Sequence, residues 1–447
     1  MEGRNRLETE KIPRLLWSLA LPAICAQMIT LAYSMADRIY VGRMDDGALA
    51  MAGIGLCSPI TSIISGLTAL FARGGAPLAA ISLGGCDHDR AEKYISNSFA
   101  LLMLSSVVIM AAVLAFGAPL LTLFGASAQT LPYALGYLRI YVLGTVFMQY
   151  TVGMNAYITT QGFARTAMVT TMTGGIVNIL LDPVFIYALD MGVEGAALAT
   201  VVSQFASFVW VMAFMFGKRN RLRVRTANLA PRRDVLGPML ALGITPFFFS
   251  ASEGVMHACF NAQVLKYGGD MAVGAMTILF SMFQFLLLPI EGITQGSQPI
   301  ISFNFGAKRF DRVREVIRLG LMVNTVFAAA GTLLCIAFPE TVMGIFSGDT
   351  ALVELGARLM PVYIFGTIGL GANSTCQQSY TAMGEGGKAF FFSFYRKVML
   401  LIPLLYLLPE ILPWGIYAVV LAESVSDLVT TGTNLVVFRR FVRKKLA

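Results

Sequence analysis

The stretch from Tyr94 to Leu138, YISNSFALLMLSSVVIMAAVLAFGAPLLTLFGASAQTLPYALGYL, carries no Asp, Glu, Lys or Arg over 45 residues. A helix needs about 20 apolar residues to cross a bilayer core, so this run holds one full span, a loop and the start of the next. The pattern recurs. Charge is absent again from Ile140 to Ala164, Gly195 to Gly217, Met271 to Ile290 and Leu319 to Pro339. Of 447 residues, 56% are hydrophobic and 13% charged, about half the charged share of an average soluble chain. A soluble protein cannot bury so many uncharged spans, and a membrane barrel would show alternating ten-residue segments instead. The expected fold class is an all-α polytopic membrane protein.

Twelve spans are expected, near 14–40, 48–83, 91–116, 133–158, 166–189, 194–217, 236–264, 271–303, 313–337, 357–382, 389–408 and 414–437. The second and eighth are long and hold prolines (Pro59 and Pro77; Pro289 and Pro299), which predicts tilt or bending. The charged N-terminus, MEGRNRLETEKIPRLL, does not read as a cleavable signal peptide, so the first apolar segment is expected to be retained. The basic stretch KRNRLRVRTANLAPRR, Lys218 to Arg233, falls near the midpoint and reads as an exposed linker. Placing the N-terminus in the cytoplasm puts 27 of the 33 Lys and Arg residues in the termini and even-numbered loops. That asymmetry orients a multi-pass protein with both termini cytoplasmic, as in a bacterial inner membrane. It also accounts for the net charge of +8 without any nucleic-acid partner.

A shift of 222 residues aligns the chain with itself. Ala50 meets Ala272, Gly74 meets Gly296, Pro77 meets Pro299, and Asp89-Arg90 meets Asp311-Arg312. Tyr141, Gly144 and Thr145 then fall on Tyr363, Gly366 and Thr367. Each half holds six spans, and an even number leaves both halves in one orientation, as in transporters built from parallel repeats. The expected organisation is an N-lobe at 1–217, a cytoplasmic linker at 218–235 and a C-lobe at 236–447.

Ionisable side chains within spans are costly in lipid and are functional candidates for that reason. Asp182 follows Asn178 by four residues, so both share one helix face, and Pro183 loosens the backbone next to them. Asp37 sits late in span 1, and its neighbour Arg38 points about 100° away on the helix. In the second half, Glu253 and His257 are an i, i+4 pair that either shuttles a proton or satisfies itself. Glu423 and Asp427 are another such pair, facing a cavity or packed against Arg396; Arg396 and Lys397 read as a cytoplasmic-face anchor. Cys86-Asp87-His88-Asp89 reads as a solvated turn and helix cap rather than a metal site. The six cysteines are scattered and form no CxxC pair. No ATP-binding, zinc-hydrolase or nucleophile-elbow motif occurs, so neither catalytic residues nor a cofactor is expected.

With MADRIYVGRMDDGALAMAGIG at the end of span 1, GYLRIYVLGTVF and LMPVYIFGTIG in spans 4 and 10, and MGVEGAALATVVSQ opening span 6, the chain resembles the multidrug and toxic compound extrusion (MATE) family, in its DinF/MepA-like branch. The resemblance implies two six-helix lobes around a V-shaped cavity that opens alternately to each side. It implies export of cationic amphipathic drugs against H⁺ or Na⁺. Residue by residue, it places cation coupling at Asp37, Asn178, Asp182 and Thr200, where Na⁺ could bind, with Asn155 in the same polar cluster. Another branch uses carboxylates in spans 7 and 10. Here Glu253 fits the first approximately, and span 10 offers only Gln377 and Gln378, which favours coupling in the N-lobe. The reading is therefore a cation-coupled antiporter, not an enzyme, acting as a monomer in the bilayer on small molecules. A flippase for lipid-linked oligosaccharides is the alternative, but it would want more cavity cations than Arg73 and Arg139. A membrane-embedded enzyme or receptor accords poorly with the two-lobe repeat.

Overall fold

The computed structural model describes residues 6–347 and 349–446, and its regular elements are all helical. Among the described residues, nine helices are long and apolar enough to cross a membrane by length and composition. Three features raise these to the twelve spans of the repeat. Arg233–Gly306 is one unbroken element of 74 residues, but Gly269 interrupts it at φ 70°, ψ −172°, a conformation open to glycine, so it carries spans 7 and 8. Span 4 is a pair, Leu131–Leu143 and Thr145–Thr160, bent by 54° at Gly144. Span 12, Ile416–Lys445, carries acids, threonines and a basic end that lower its hydropathy. The remaining spans are Ile12–Gly42, Leu49–Gly84, His88–Leu123, Ala164–Ala188, Gly192–Met215, Phe310–Ala337, Thr350–Ala382 and Gly386–Ile411, numbered 1, 2, 3, 5, 6, 9, 10 and 11.

Several spans are locally irregular, and the sequence explains some of this. Span 5 widens into a π-helical stretch at Val184–Ala188, directly after Pro183, whose ring removes a backbone donor. Span 2 does the same at Ala69–Arg73 and span 11 at Tyr395–Leu401, where Pro77 and Pro403 remove the donors due to the carbonyls four residues back, at Arg73 and Met399. Span 10 tightens into a 3₁₀ segment at Phe365–Gly369. Asp87 caps span 3 by accepting the Arg90 N–H at 3.0 Å, so the Cys86–Asp89 run is a turn and cap.

The chain divides into two compact units, residues 1–8 with 21–251, and residues 9–20 with 252–447. The start of span 7 thus packs in the first unit, and part of span 1 packs in the second. Glycines make both contacts. A Cβ on Gly243 would lie 1.9 Å from the Leu70 carbonyl oxygen, and one on Gly74 would lie 2.2 Å from that of Met239. In the second unit, a Cβ on Gly296 would meet the Ala20 backbone nitrogen at 2.6 Å. Gly74 and Gly296 are the pair that the internal repeat aligns. Lost side chains here permit backbone-to-backbone packing, the usual device where helices gain little from burying apolar surface.

Most of the midpoint segment is exposed, but part of it is held against the first unit. Asn220 is buried, donating to the Met215 and Leu222 carbonyls and accepting from Gln161 Nε2 at 2.9 Å. Arg225 pairs with Glu92 at 2.5 Å, and Asn97 holds the Asn228 carbonyl at 3.0 Å. Residues 220–228 are docked on the first unit because their polar groups find partners on spans 3 and 4. One correction concerns Arg396 and Lys397. Both are buried within the second unit rather than anchored at a membrane face.

Candidate functional site

Asp37, Asn155, Asn178, Asp182 and Thr200 all belong to the first unit. Spans 1 and 5 are held together on either side of the carboxylates. Below them, Gly175 leaves room for Ile29 and Tyr33, since a Cβ there would sit 2.9 Å from Ile29 Cγ2. Above them, the Tyr187 hydroxyl donates to the Tyr40 carbonyl at 2.6 Å, and the two rings meet edge-on. Asp37 and Asp182 are therefore brought close enough for their charges to interact.

Asp182 is fully buried and Asn178 nearly so. Asn178 Nδ2 donates to Asp182 Oδ1 at 3.2 Å, the contact that i, i+4 spacing predicts. Asp182 Oδ2, Asn178 Oδ1 and Asp37 Oδ1 are buried and accept no hydrogen bond from the protein. Buried acceptors without donors are uncommon and each needs an occupant or an explanation. The Thr200 hydroxyl donates to the Ala196 carbonyl at 3.0 Å, and Thr200 lies against Tyr137. Asn155 also carries a buried, unpartnered Oδ1, but no contact ties it to the carboxylates among the described residues.

Two aromatic residues and an amide at this site escaped the sequence reading. Tyr137 and Tyr141 stack with centroids 5.6 Å apart, Asp37 acts electrostatically on Tyr137, and Gln204 lies beside Tyr141. Gln204 also covers Gly144, where a Cβ would lie 2.7 Å from its Oε1. The available signal was spacing: Gln204 stands one turn beyond Thr200, and Tyr137 one turn before Tyr141.

In the second unit, the expected Glu253–His257 pair does not form among the described residues. His257 packs edge-on against Phe280 at 4.7 Å, and Glu253 acts electrostatically on Lys397. Glu423 and Asp427 are packed against Arg396, whose Nη2 donates to Glu423 Oε1 at 2.9 Å and whose Nε donates to Asp427 Oδ1. No group of three His, Cys, Asp or Glu side chains that could hold a metal occurs among the described residues.

Two repeated units of apolar helices, with buried carboxylates and amides inside, define a polytopic membrane transport protein. The chain belongs to the MatE family, whose profile matches residues 22–184 and 247–407. It is 25% identical over 426 residues to the multidrug export protein MepA of Staphylococcus aureus (strain MRSA252), covering 94% of this chain and 93% of that one. It is 24% identical over 414 residues to MepA of Staphylococcus saprophyticus, with 92% and 90% covered. Its fold matches a solved outward-facing multidrug resistance MATE family transporter of the MOP superfamily at a TM-score of 0.92. The identity there is 20%, with 100% of this chain and 99% of that chain covered. A MATE structure in complex with MaL6 matches at 0.91, with 20% identity and 98% of each chain covered.

Proposed function

We propose that this protein is a secondary active multidrug exporter that antiports cationic amphipathic compounds against H⁺ or Na⁺ by alternating access. The carrying observation is the pair of carboxylates, half-buried Asp37 and fully buried Asp182, each with a buried oxygen that no donor meets, beside Asn178. Two carboxylates close together within a membrane favour either a bound proton or a bound cation. The donor set is all oxygen, which suits a hard cation such as Na⁺, with Thr200 as a further ligand. The MepA relatives are multidrug export proteins by name, which supports drug export as the activity.

The coupling logic is mutual exclusion. If ion occupancy of this cluster favours one conformation and drug favours the other, the downhill ion drives the uphill solute. Export of an ethidium-like dye from proteoliposomes, with H⁺ and Na⁺ gradients imposed separately, tests this. Export under one or both gradients is expected; export indifferent to both would sink the reading.

A further inference from the structure

Span 6 of the first unit runs out into a basic loop that the proposed coupling site does not use. The loop is held in shape by Asn220. Its Nδ2 donates to the Met215 carbonyl at 2.6 Å and to the Leu222 carbonyl at 2.5 Å. Its Oδ1 accepts from the Leu222 N–H at 3.2 Å and from Gln161 Nε2 at 2.9 Å, while the Arg221 N–H donates to Gln161 Oε1 at 2.8 Å. Asn220 and Leu222 are buried, and Arg219, Arg221 and Arg223, which alternate with them, are exposed.

These cations keep their charge uncompensated. Arg225 takes Glu92 and Asp89, and Arg232 takes Asp234. Among the described residues, no carboxylate lies within ion-pair distance of Lys218, Arg219, Arg221 or Arg223. Arg165, at the start of span 5, is exposed and unpaired as well. Phe163 and Phe214 meet at 5.2 Å, which sets that end of span 5 against the end of span 6. One end of the first unit therefore gathers unpaired cations on a loop whose backbone is already ordered.

A second observation selects the partner. Phe205, Val209 and Phe216 share one face of span 6, four and seven residues apart, with Trp210 beside them. All four are exposed, Phe216 by 76%. In a membrane-spanning helix such a face is covered by acyl chains, and aromatic residues mark its approach to the interface. Two residues beyond Phe216 the surface turns basic. A ligand that covers both parts has acyl chains and a head of net negative charge. A zwitterionic lipid leaves the cations unpaired, and a small soluble anion leaves the apolar face bare. Basic residues just outside a span attract anionic lipid, and a loop ordered in advance loses little entropy on binding it.

We propose that the stapled loop from Lys218 to Arg223, with Arg165, binds the headgroups of anionic phospholipids whose acyl chains lie along the Phe205–Phe216 face of span 6. This site is separate from the Asp37–Asp182 pair, and it does not depend on what is transported or which ion drives it.

Trp210 can report on the site, because the chain has only two other tryptophans, Trp17 and Trp414. Full-length protein carrying Trp17→Phe and Trp414→Phe is reconstituted in vesicles of equal parts phosphatidylcholine and phosphatidylglycerol, with one lipid or the other brominated on its acyl chains. Brominated phosphatidylglycerol should quench Trp210 more strongly. Arg219→Gln, Arg221→Gln and Arg223→Gln together should cut that preference about fivefold, the share of one well-engaged basic residue. Arg439→Gln, Arg440→Gln and Arg443→Gln remove the same charge from exposed positions near the end of span 12 and should leave the preference intact. Equal quenching by the two lipids, or equal loss in both triple variants, overturns the proposal. Salt serves where the first triple variant fails to fold. Going from about 0.1 M to about 1 M shortens the Debye length from about 10 Å to about 3 Å and should remove the preference. A preference that salt does not move overturns the proposal. Inorganic phosphate added at constant ionic strength should not relieve the quenching; relief would make this a free-anion site and overturn the lipid assignment.

Discussion

Asn178 donates its side-chain Nδ2 to Asp182 Oδ1 at 3.2 Å across one turn of span 5, and this single contact uses one carboxylate oxygen while leaving the other free. The amide thereby fixes the carboxylate's orientation without neutralising it. Asp37 lies close enough for its charge to act on Asp182. In the proposed coupling this arrangement holds a proton or a cation and releases it.

Asp37→Asn and Asp182→Asn should each reduce gradient-driven dye export by roughly 5–150-fold while drug binding persists, the range expected when a coupling free energy is removed. The amide keeps size and hydrogen bonding but cannot gain and lose a proton. Glu253→Gln should be milder. If Glu253→Gln stops export in proteoliposomes while both aspartate variants retain it, the coupling site is misplaced.

Gly243→Ala should destabilise the protein by about 1–3 kcal/mol, because its methyl would be forced to within 1.9 Å of the Leu70 carbonyl oxygen. Gly55, inside the same span 2 that receives Gly243, has open space within 4 Å of where a Cβ would sit, so Gly55→Ala should be neutral or stabilising. Thermal unfolding of the two variants in detergent distinguishes close packing from a general intolerance of alanine.

Glu385, in the turn between spans 10 and 11, gives a pH-dependent clasp on the C-terminal end of span 12. Partial burial raises its pKa, but pairing with Lys388 and Lys445 outweighs this and leaves it below the ordinary glutamate value. A depressed folded-state value means that the stabilisation is present above the unfolded value and is lost as pH falls through the folded one. Glu385→Gln should therefore melt lower than wild type at neutral pH, by roughly 1–2 °C for exposed pairs of this kind. The gap should close on acidification below about pH 4.3. A gap that widened in acid would contradict the sign.

A cysteine at Thr226, an exposed position in the basic midpoint segment, should resist impermeant thiol reagents added outside intact cells. It should react once the cells are opened. The expectation follows from the gathering of Lys and Arg in the even-numbered loops and termini. Ready labelling from outside would reverse the proposed orientation.

The residue pattern alone specified the all-helical class, the twelve spans and the two-fold repeat, because charge-free length and a constant offset are local, countable properties. It also placed Asn178 on the same face as Asp182, since helical spacing dictates which neighbours share a face. Tertiary packing decided the rest. Span 1 approaches span 5 because Gly175 lets Ile29 and Tyr33 in, and only that approach brings Asp37 to Asp182. Arg396 and Lys397 carry the charge of a membrane-face anchor, yet the carboxylates of span 12 draw Arg396 into the second unit. Asn220 and Arg225 lie in a segment composed like a free linker, and they dock because Gln161 and Glu92 offer them partners. Periodicity fixes which way a side chain points along its own helix; what it meets there is set by another helix, at a distance in sequence that no local pattern encodes.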